Sequence, residues 1–300
     1  MWQLWGIFLV IITVGLYADM VLAKAQHAQA NHRSHAYMVI AWISLAAFFG
    51  LLVYFFLGQE GALKFFTGYV LELSLSVDNL FVFMTIFSYF HIVNKAQQKA
   101  LTYGMVGAMV MRMVFVFMGI TLLNKFKWLM HVFGVMLIVS AIGMFKSKEQ
   151  RGSTGNLLTK MKTFLKIRHS NDNLAFFTKC GHGWYATPLL ACVITIEIVD
   201  IIFAVDSVPA VLSITKIPIL VYSSNVFAII GLRSLYICLT QLINKFHLLQ
   251  YGIAVNLIFV GTNMIFSEVY HIPTIVSTMA IISIFLGTLA ISCLTMKRRH

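Results

Sequence analysis

Apolar residues run along this chain in long blocks separated by short polar breaks. Nine blocks stand out, at about Leu4–Leu22, Tyr37–Leu57, Phe65–Phe90, Leu101–Leu123, Trp128–Phe145, Tyr185–Ser213, Ile219–Leu242, Leu248–Phe266 and Pro273–Met296. Each is near the roughly 20 residues that a helix needs to cross ~30 Å of hydrocarbon. The pattern predicts an all-α polytopic helix bundle with about nine spans, forming a single transmembrane domain over residues 1–300. The one long polar stretch, Lys146 to Gly183, holds eight Lys/Arg against Glu149 and Asp172, and a Gly152-Ser153-Thr154-Gly155 cluster. It reads as a flexible basic loop between spans 5 and 6. The first block has neither a basic n-region nor a small-residue cleavage site, so it is expected to be a retained helix.

Composition agrees with this reading and narrows it. Hydrophobic residues make up 60% of the chain and charged residues 11%, with mean hydropathy +0.86. Soluble domains are about a quarter charged, so a soluble enzyme, a disulfide scaffold and a disordered chain are excluded. The net charge of +12 could suggest nucleic acid as a partner, but the basic residues sit between apolar blocks and at Lys297-Arg298-Arg299, where orientation signals belong. With the N-terminus outside and the C-terminus inside, 16 Lys/Arg fall in inside segments and 4 in outside ones, and the positive-inside rule selects that orientation. Cys180, Cys192, Cys238 and Cys293 are scattered without a CxxC and read as structural or incidental.

The acids carry the chemistry. Of ten, Glu60, Glu149 and Asp172 fall in loops, and Asp19 and Glu268 near span ends. Glu72, Asp78, Glu197, Asp200 and Asp206 lie inside the third and sixth spans. A carboxylate at membrane depth costs several kcal/mol and usually faces a polar cavity with a functional task. The plainer reading is ion pairing with the mid-span Arg112 and Arg233 to hold helices together. Two arginines cannot balance five carboxylates, however, which favours cation handling or proton relay with the arginines as charge-balancing residues.

The two acidic spans also resemble each other. Val70-Leu71-Glu72-Leu73-Ser74-Leu75-Ser76-Val77-Asp78-Asn79 aligns with Ile198-Val199-Asp200-Ile201-Ile202-Phe203-Ala204-Val205-Asp206-Ser207 at a constant offset of 128. The next span in each case holds its lone Arg. Under the orientation above the two motifs run in opposite directions, so spans 3–5 and 6–8 are expected to form an inverted repeat, with a site at the repeat interface. Acids six residues apart stand about 120° apart on a regular helix. A local break would let them converge on one site, for which Pro209 beside Asp206 is the candidate; the alternative is that Pro209 merely bends the helix.

The ligands on offer are hard oxygen donors: the five carboxylates, Asn79 and Asn225, the hydroxyls of Ser76 and Ser207, and backbone carbonyls. Such a set suits Mn²⁺, Ca²⁺ or Mg²⁺ better than softer metals. His27, His32 and His35 cluster after the first span; they read as solvated polar sequence, with metal sensing as the alternative. No catalytic constellation, permanent cofactor or nucleotide motif emerges, so an enzyme is not expected.

Several segments resemble the TerC/Alx family of bacterial inner-membrane proteins. They are Leu73-Ser74-Leu75-Ser76-Val77-Asp78-Asn79-Leu80-Phe81-Val82-Phe83, Tyr185-Ala186-Thr187-Pro188-Leu189, Phe203-Ala204-Val205-Asp206-Ser207-Val208-Pro209-Ala210, Ser224 through Arg233, and Tyr270-His271-Ile272-Pro273. The resemblance implies a multi-pass protein of the inner (plasma) membrane associated with manganese export, alkaline-pH response and tellurite resistance. Its intramembrane acids would serve the cation: here Glu72, Asp78, Glu197, Asp200 and Asp206, with Asn79 and Asn225 as neutral ligands. Members often carry Lys in the eighth span where this chain reads Gly261-Thr262-Asn263-Met264. The leading expectation is a divalent-cation exporter, Mn²⁺ ahead of Ca²⁺, with proton antiport as its coupling; its partners would be the lipid bilayer and metal ions. The alternative is a non-transporting membrane stress protein that scaffolds partners or assists metal loading of exported proteins.

Overall fold

The computed structural model describes residues 2–26, 32–92, 95–126, 128–146, 174–180, 183–239, 249–266 and 273–297. Most of the basic loop, His27 and Arg298-Arg299 lie outside the described residues, as do the side chains of His32, His35, Asp78 and Arg233. The helices are α1 (Trp2–Gln26), α2 (His32–Tyr89), α3 (Lys95–Lys125), α4 (Leu129–Lys146), α5 (Pro188–Ile214), α6 (Pro218–Leu239), α7 (Leu249–Ile265) and α8 (Thr274–Lys297). A two-stranded antiparallel hairpin, β1 (Phe177–Cys180) and β2 (Gly183–Ala186), precedes α5. The all-α expectation therefore holds for the bundle, while the end of the basic loop is ordered as a hairpin.

The 58 residues of α2 would reach nearly 90 Å if straight, about three hydrocarbon thicknesses. The chain turns at Gly58, where φ is +74° and ψ −175°, a conformation that a Cβ makes costly. The two arms then pack on each other. A side chain on Gly50 would run into the Phe66 ring, and Phe49 and Phe65 meet with ring centroids 5.4 Å apart. These contacts lie about eight residues to either side of Gly58, as a fold-back requires. So the polar break at Gly58-Gln59-Glu60-Gly61 separates two apolar helical arms, and the backbone at Gly58 is not helical.

Among the described residues, four helices meet the length and composition of a membrane crossing, within Tyr37–Ser76, Lys95–Lys125, Pro188–Ile214 and Thr274–Ser292. Shorter apolar helices run over Trp2–Ala18, Leu129–Gly143, Pro218–Leu232 and Tyr251–Ile265. Large apolar side chains face outward along them, Val106, Val110, Val114 and Phe117 of α3 among them. A soluble fold could not carry such an exposed apolar surface. The chain is thus a helical membrane protein.

Inside, α2 packs chiefly against α6, α3 against α5, and α4 against α7. An aromatic cluster of Phe8, Phe49, Phe65 and Phe227 seats α1 against the α2 fold-back. Close approach of α4 and α7 depends on two glycines. A methyl group on Gly134 would stand 2.7 Å from the Gly261 carbonyl oxygen, and one on Gly261 the same 2.7 Å from that of Gly134.

Candidate functional site: a buried arginine–carboxylate network

At the centre of α3 the side chain of Arg112 is only 1% exposed. A guanidinium at that depth is tolerable only where its fork of donors finds acceptors. Its Nη1 donates to Glu72 Oε2 of α2 at 2.5 Å, to Asn225 Oδ1 of α6 at 2.5 Å and to Ser207 Oγ of α5 at 3.0 Å. Its Nη2 reaches Asp200 Oδ1 of α5 at 3.5 Å. Asn225 is oriented by donating its own amide to the Val221 carbonyl at 2.9 Å. One arginine thereby ties four helices together, and it joins Glu72 to Asp200, the first acids of the two related motifs.

The network is incompletely satisfied. Glu72 Oε1, Asp200 Oδ2 and Arg112 Nε are buried without a hydrogen-bond partner among the described residues. Two carboxylates share one guanidinium, so the centre has negative charge and lone pairs to spare. Buried groups of this kind are costly unless something else completes them.

Arg112 and Asp200 border a cavity of about 20 Å³, enough for a water molecule. Arg112, Asp200, Asn79 and Ser76 form its polar end, and Phe83, Leu101, Ile196 and Leu232 its apolar flank. All the flanking residues lie toward the end of the bundle where α3 and α5 begin. The opposite side of Arg112 is closed by packing. There a methyl on Gly68 would touch Ser224 Oγ at 3.1 Å and Val211 at 3.3 Å, and one on Gly119 would meet Leu212 at 2.7 Å.

The remaining acids stand apart from this centre. Glu197, half-buried one turn before Asp200, lies on Gly107 and Gly104 of α3, and the missing side chain at Gly107 is what makes room for its carboxylate. Asp206 is half-buried and accepts a 2.9 Å hydrogen bond from Ser140 Oγ of α4. Asp78 is placed on α2 by its backbone, and Arg233 on α6. The helix break that would bring each acid pair together is not seen among the described residues. Both α2 around Glu72–Asp78 and α5 through Pro209 are continuous helix, so Asp200 and Asp206 serve different neighbours. Among the described residues no three His, Cys, Asp or Glu side chains cluster at metal-binding distance.

Two contributors escaped the sequence reading. Ser140 was not singled out, although a lone hydroxyl in the middle of an apolar helix was a visible signal. Gly107 acts through the absence of a side chain, and only its neighbour's position reveals it.

Among the described residues, eight apolar helices and a buried, charge-bearing centre spanning four of them define a helical integral membrane protein with an ionisable core. The chain belongs to the integral membrane protein TerC family, whose model matches residues 57–300. It is 36% identical to a protein of Escherichia coli strain K12 named "Putative membrane-bound redox modulator Alx", over 96% of this chain and 94% of that one. Its identity to the protein of the same name from Photorhabdus laumondii is 38%, with the same coverage. It is also 36% identical to an uncharacterized membrane protein of Myxococcus xanthus, over 99% of this chain and 93% of that one. No solved structure matches the chain.

Proposed function

We propose that this protein exports a divalent cation, Mn²⁺ in preference to Ca²⁺, across the bacterial inner membrane, with protons as the counter-ion. The observation that carries the reading is the surplus of buried carboxylate: Glu72 and Asp200 share Arg112 and leave Oε1 and Oδ2 without partners among the described residues, and Asp200 and Arg112 line a small cavity. Hard oxygen donors from Asp200, Asn79 and Ser76 at that cavity match a hard cation. A cation or proton entering there would neutralise what Arg112 leaves unbalanced. Glu197 stands one turn closer to the cavity's apolar end, Asp78 lies on the same side between the cavity-lining Ser76 and Asn79 in sequence, and Asp206 lies one to two turns toward the opposite side. The acids thus read as successive stations along a path rather than as one cage.

Helix packing supports an inverted repeat over the second arm of α2 with α3 and α4, and α5 with α6 and α7. A two-fold relation between these triplets exchanges the α2–α6 contact with α3–α5 and maps α4–α7 onto itself; these are the dominant pairings of the bundle. Reciprocal contacts, residue i on j and j on i, mark such an axis. Gly134 and Gly261 form one, at an offset of 127, one short of the 128 that relates the acidic motifs. Transporters built this way place their site at the repeat interface.

Two experiments test this reading. Purified protein in vesicles is expected to move Mn²⁺ down its gradient, as seen by a trapped metal-sensitive dye. Asp200→Asn and Asp206→Asn are expected to lower that flux by about tenfold or more, the loss of roughly 1.4 kcal/mol of differential binding, with membrane yield unchanged. Full flux in the double variant would remove the carboxylates from the path. For orientation, a reporter placed within Gly152–Gly155 is expected to be cytoplasmic and one near Lys216 periplasmic, as the 16-to-4 distribution of basic residues requires. Opposite labelling would reverse the direction of transport.

The relatives' printed name favours a redox role instead. Cys192, the free cysteine whose side chain is described, is buried in α5, away from any soluble oxidant.

A further inference from the structure

The hairpin before α5 is held firmly at its base. Thr187 Oγ1 donates to the carbonyls of Ala175 and Phe176 at 2.7 and 3.0 Å and accepts from the Leu190 amide at 3.3 Å. It thus caps α5 and fixes the start of the hairpin with one side chain. Lys99 of α3 donates to the Leu174 carbonyl at 2.7 Å and lies 4.5 Å from the centre of the Phe176 ring. Phe176 in turn packs edge-on against Tyr103, with centroids 4.9 Å apart.

Tyr103 is the first residue of the outward apolar stripe of α3, which continues through Val106, Val110, Val114 and Phe117. The hairpin is therefore tied to the side of the bundle that faces lipid, at the level where α3 and α5 begin.

The strand register sorts the side chains. Phe177 pairs with Ala186 and Lys179 with Trp184, while Thr178 pairs with Tyr185. Residues paired directly across strands share a face, so Phe177, Lys179, Trp184 and Ala186 stand on one side and Thr178 and Tyr185 on the other. The first face is the exposed one: Phe177 is 57% and Trp184 73% exposed. A soluble surface rarely gathers a Trp, a Phe and a Lys on one small open face. Indole and a snorkelling Lys beside an apolar ring are the composition that settles at the boundary between headgroups and acyl chains.

We infer that the Phe177/Lys179/Trp184 face of this hairpin is a membrane-interface anchor that docks on anionic phospholipid headgroups of the bilayer the protein spans. Phe177 and Trp184 enter the headgroup–acyl boundary, and Lys179 pairs with lipid phosphate. The seven other Lys/Arg between Lys146 and Arg168 give this end of the chain the positive charge that attracts an anionic leaflet. Because Thr187 links the hairpin base to the first turn of α5, docking holds the entry end of the helix that carries Glu197 and Asp200. The inference needs only the membrane location, so it stands or falls apart from the cation reading.

The test uses the full chain in vesicles of phosphatidylcholine, alone or mixed with phosphatidylglycerol. Subtracting the tryptophan fluorescence of Trp184→Tyr from that of the wild type isolates this one indole among five. The Trp184 signal is expected to be quenched by phosphatidylcholine brominated near the headgroup end of its acyl chains and shielded from aqueous acrylamide, most strongly in the anionic vesicles. Lys179→Gln is expected to raise acrylamide access in anionic vesicles, shifting the docked-to-free ratio by up to about fivefold for one lost charge near the surface, and to change nothing in phosphatidylcholine alone. A Trp184 signal quenched by acrylamide as strongly in anionic vesicles as in phosphatidylcholine, and indifferent to brominated lipid, would overturn the anchor. So would shielding that disappears on diluting the protein in lipid, since the face would then pack against a second copy.

Discussion

Replacing Arg112 by glutamine is expected to destabilise the protein more than any other single change in the bundle. The substitution removes donors from Glu72, Asp200, Ser207 and Asn225 at once and leaves two buried carboxylates without a counter-charge. Breaking one buried pair from one side costs roughly 3–5 kcal/mol. The expected readout is a sharp fall in thermal stability in detergent and in folded yield from membranes. Arg112→Lys should fail as well, since an ammonium offers three donors where four acceptors now converge. The informative control neutralises the whole centre, Glu72→Gln with Arg112→Gln and Asp200→Asn. Its stability is expected to recover, because no charge is left unpaired, while cation flux stays absent. If Arg112→Gln were as stable as the wild type, the network would not be holding the four helices together.

The second large effect is expected at Gly107. A methyl group there would overlap the Glu197 carboxylate, and Glu197, being half-buried, can yield by swinging away. Gly107→Ala should therefore spare folding and displace Glu197 from the cavity side of α3. Flux is expected to fall by about tenfold, or roughly 1.4 kcal/mol. The mechanism is checked by non-additivity: residues in contact couple, whereas distant ones add. Gly107→Ala placed on Glu197→Gln should lose nothing further. Independent, additive losses would mean that the glycine matters for helix approach alone and not for the acid beside it.

Much of this molecule was legible from residue order. The apolar blocks located every described helix, because burying a backbone in hydrocarbon leaves few options besides helices about 20 residues long. Arg112 and the five carboxylates were equally visible, since a charge in an apolar block is costly enough to mark itself. The match between Glu72–Asn79 and Asp200–Ser207 could be read directly, as could the mid-span Arg of the helix that follows each.

Pairing was not legible. Glu72, Asp200, Ser207 and Asn225 lie between 40 and 113 positions from Arg112 in the chain. No periodicity within a helix says which neighbours its interior face will meet. The separation of Asp200 from Asp206 likewise depended on α5 remaining helical through Pro209, where the freed backbone group is tolerated inside packed neighbours.

Sequence by itself determined that the chain crosses a membrane in helices, and which of its charges fall within the apolar blocks. Only the tertiary structure decided that one arginine would serve both acidic motifs, that Glu197 would rest on a glycine and Asp206 on Ser140, and that a polar loop would end in an aromatic hairpin. The physical reason is the range of the interactions. Transfer from water to lipid is a property of each segment, summed residue by residue. Hydrogen bonds and ion pairs act over about 3 Å, so they exist only once packing has brought distant residues together.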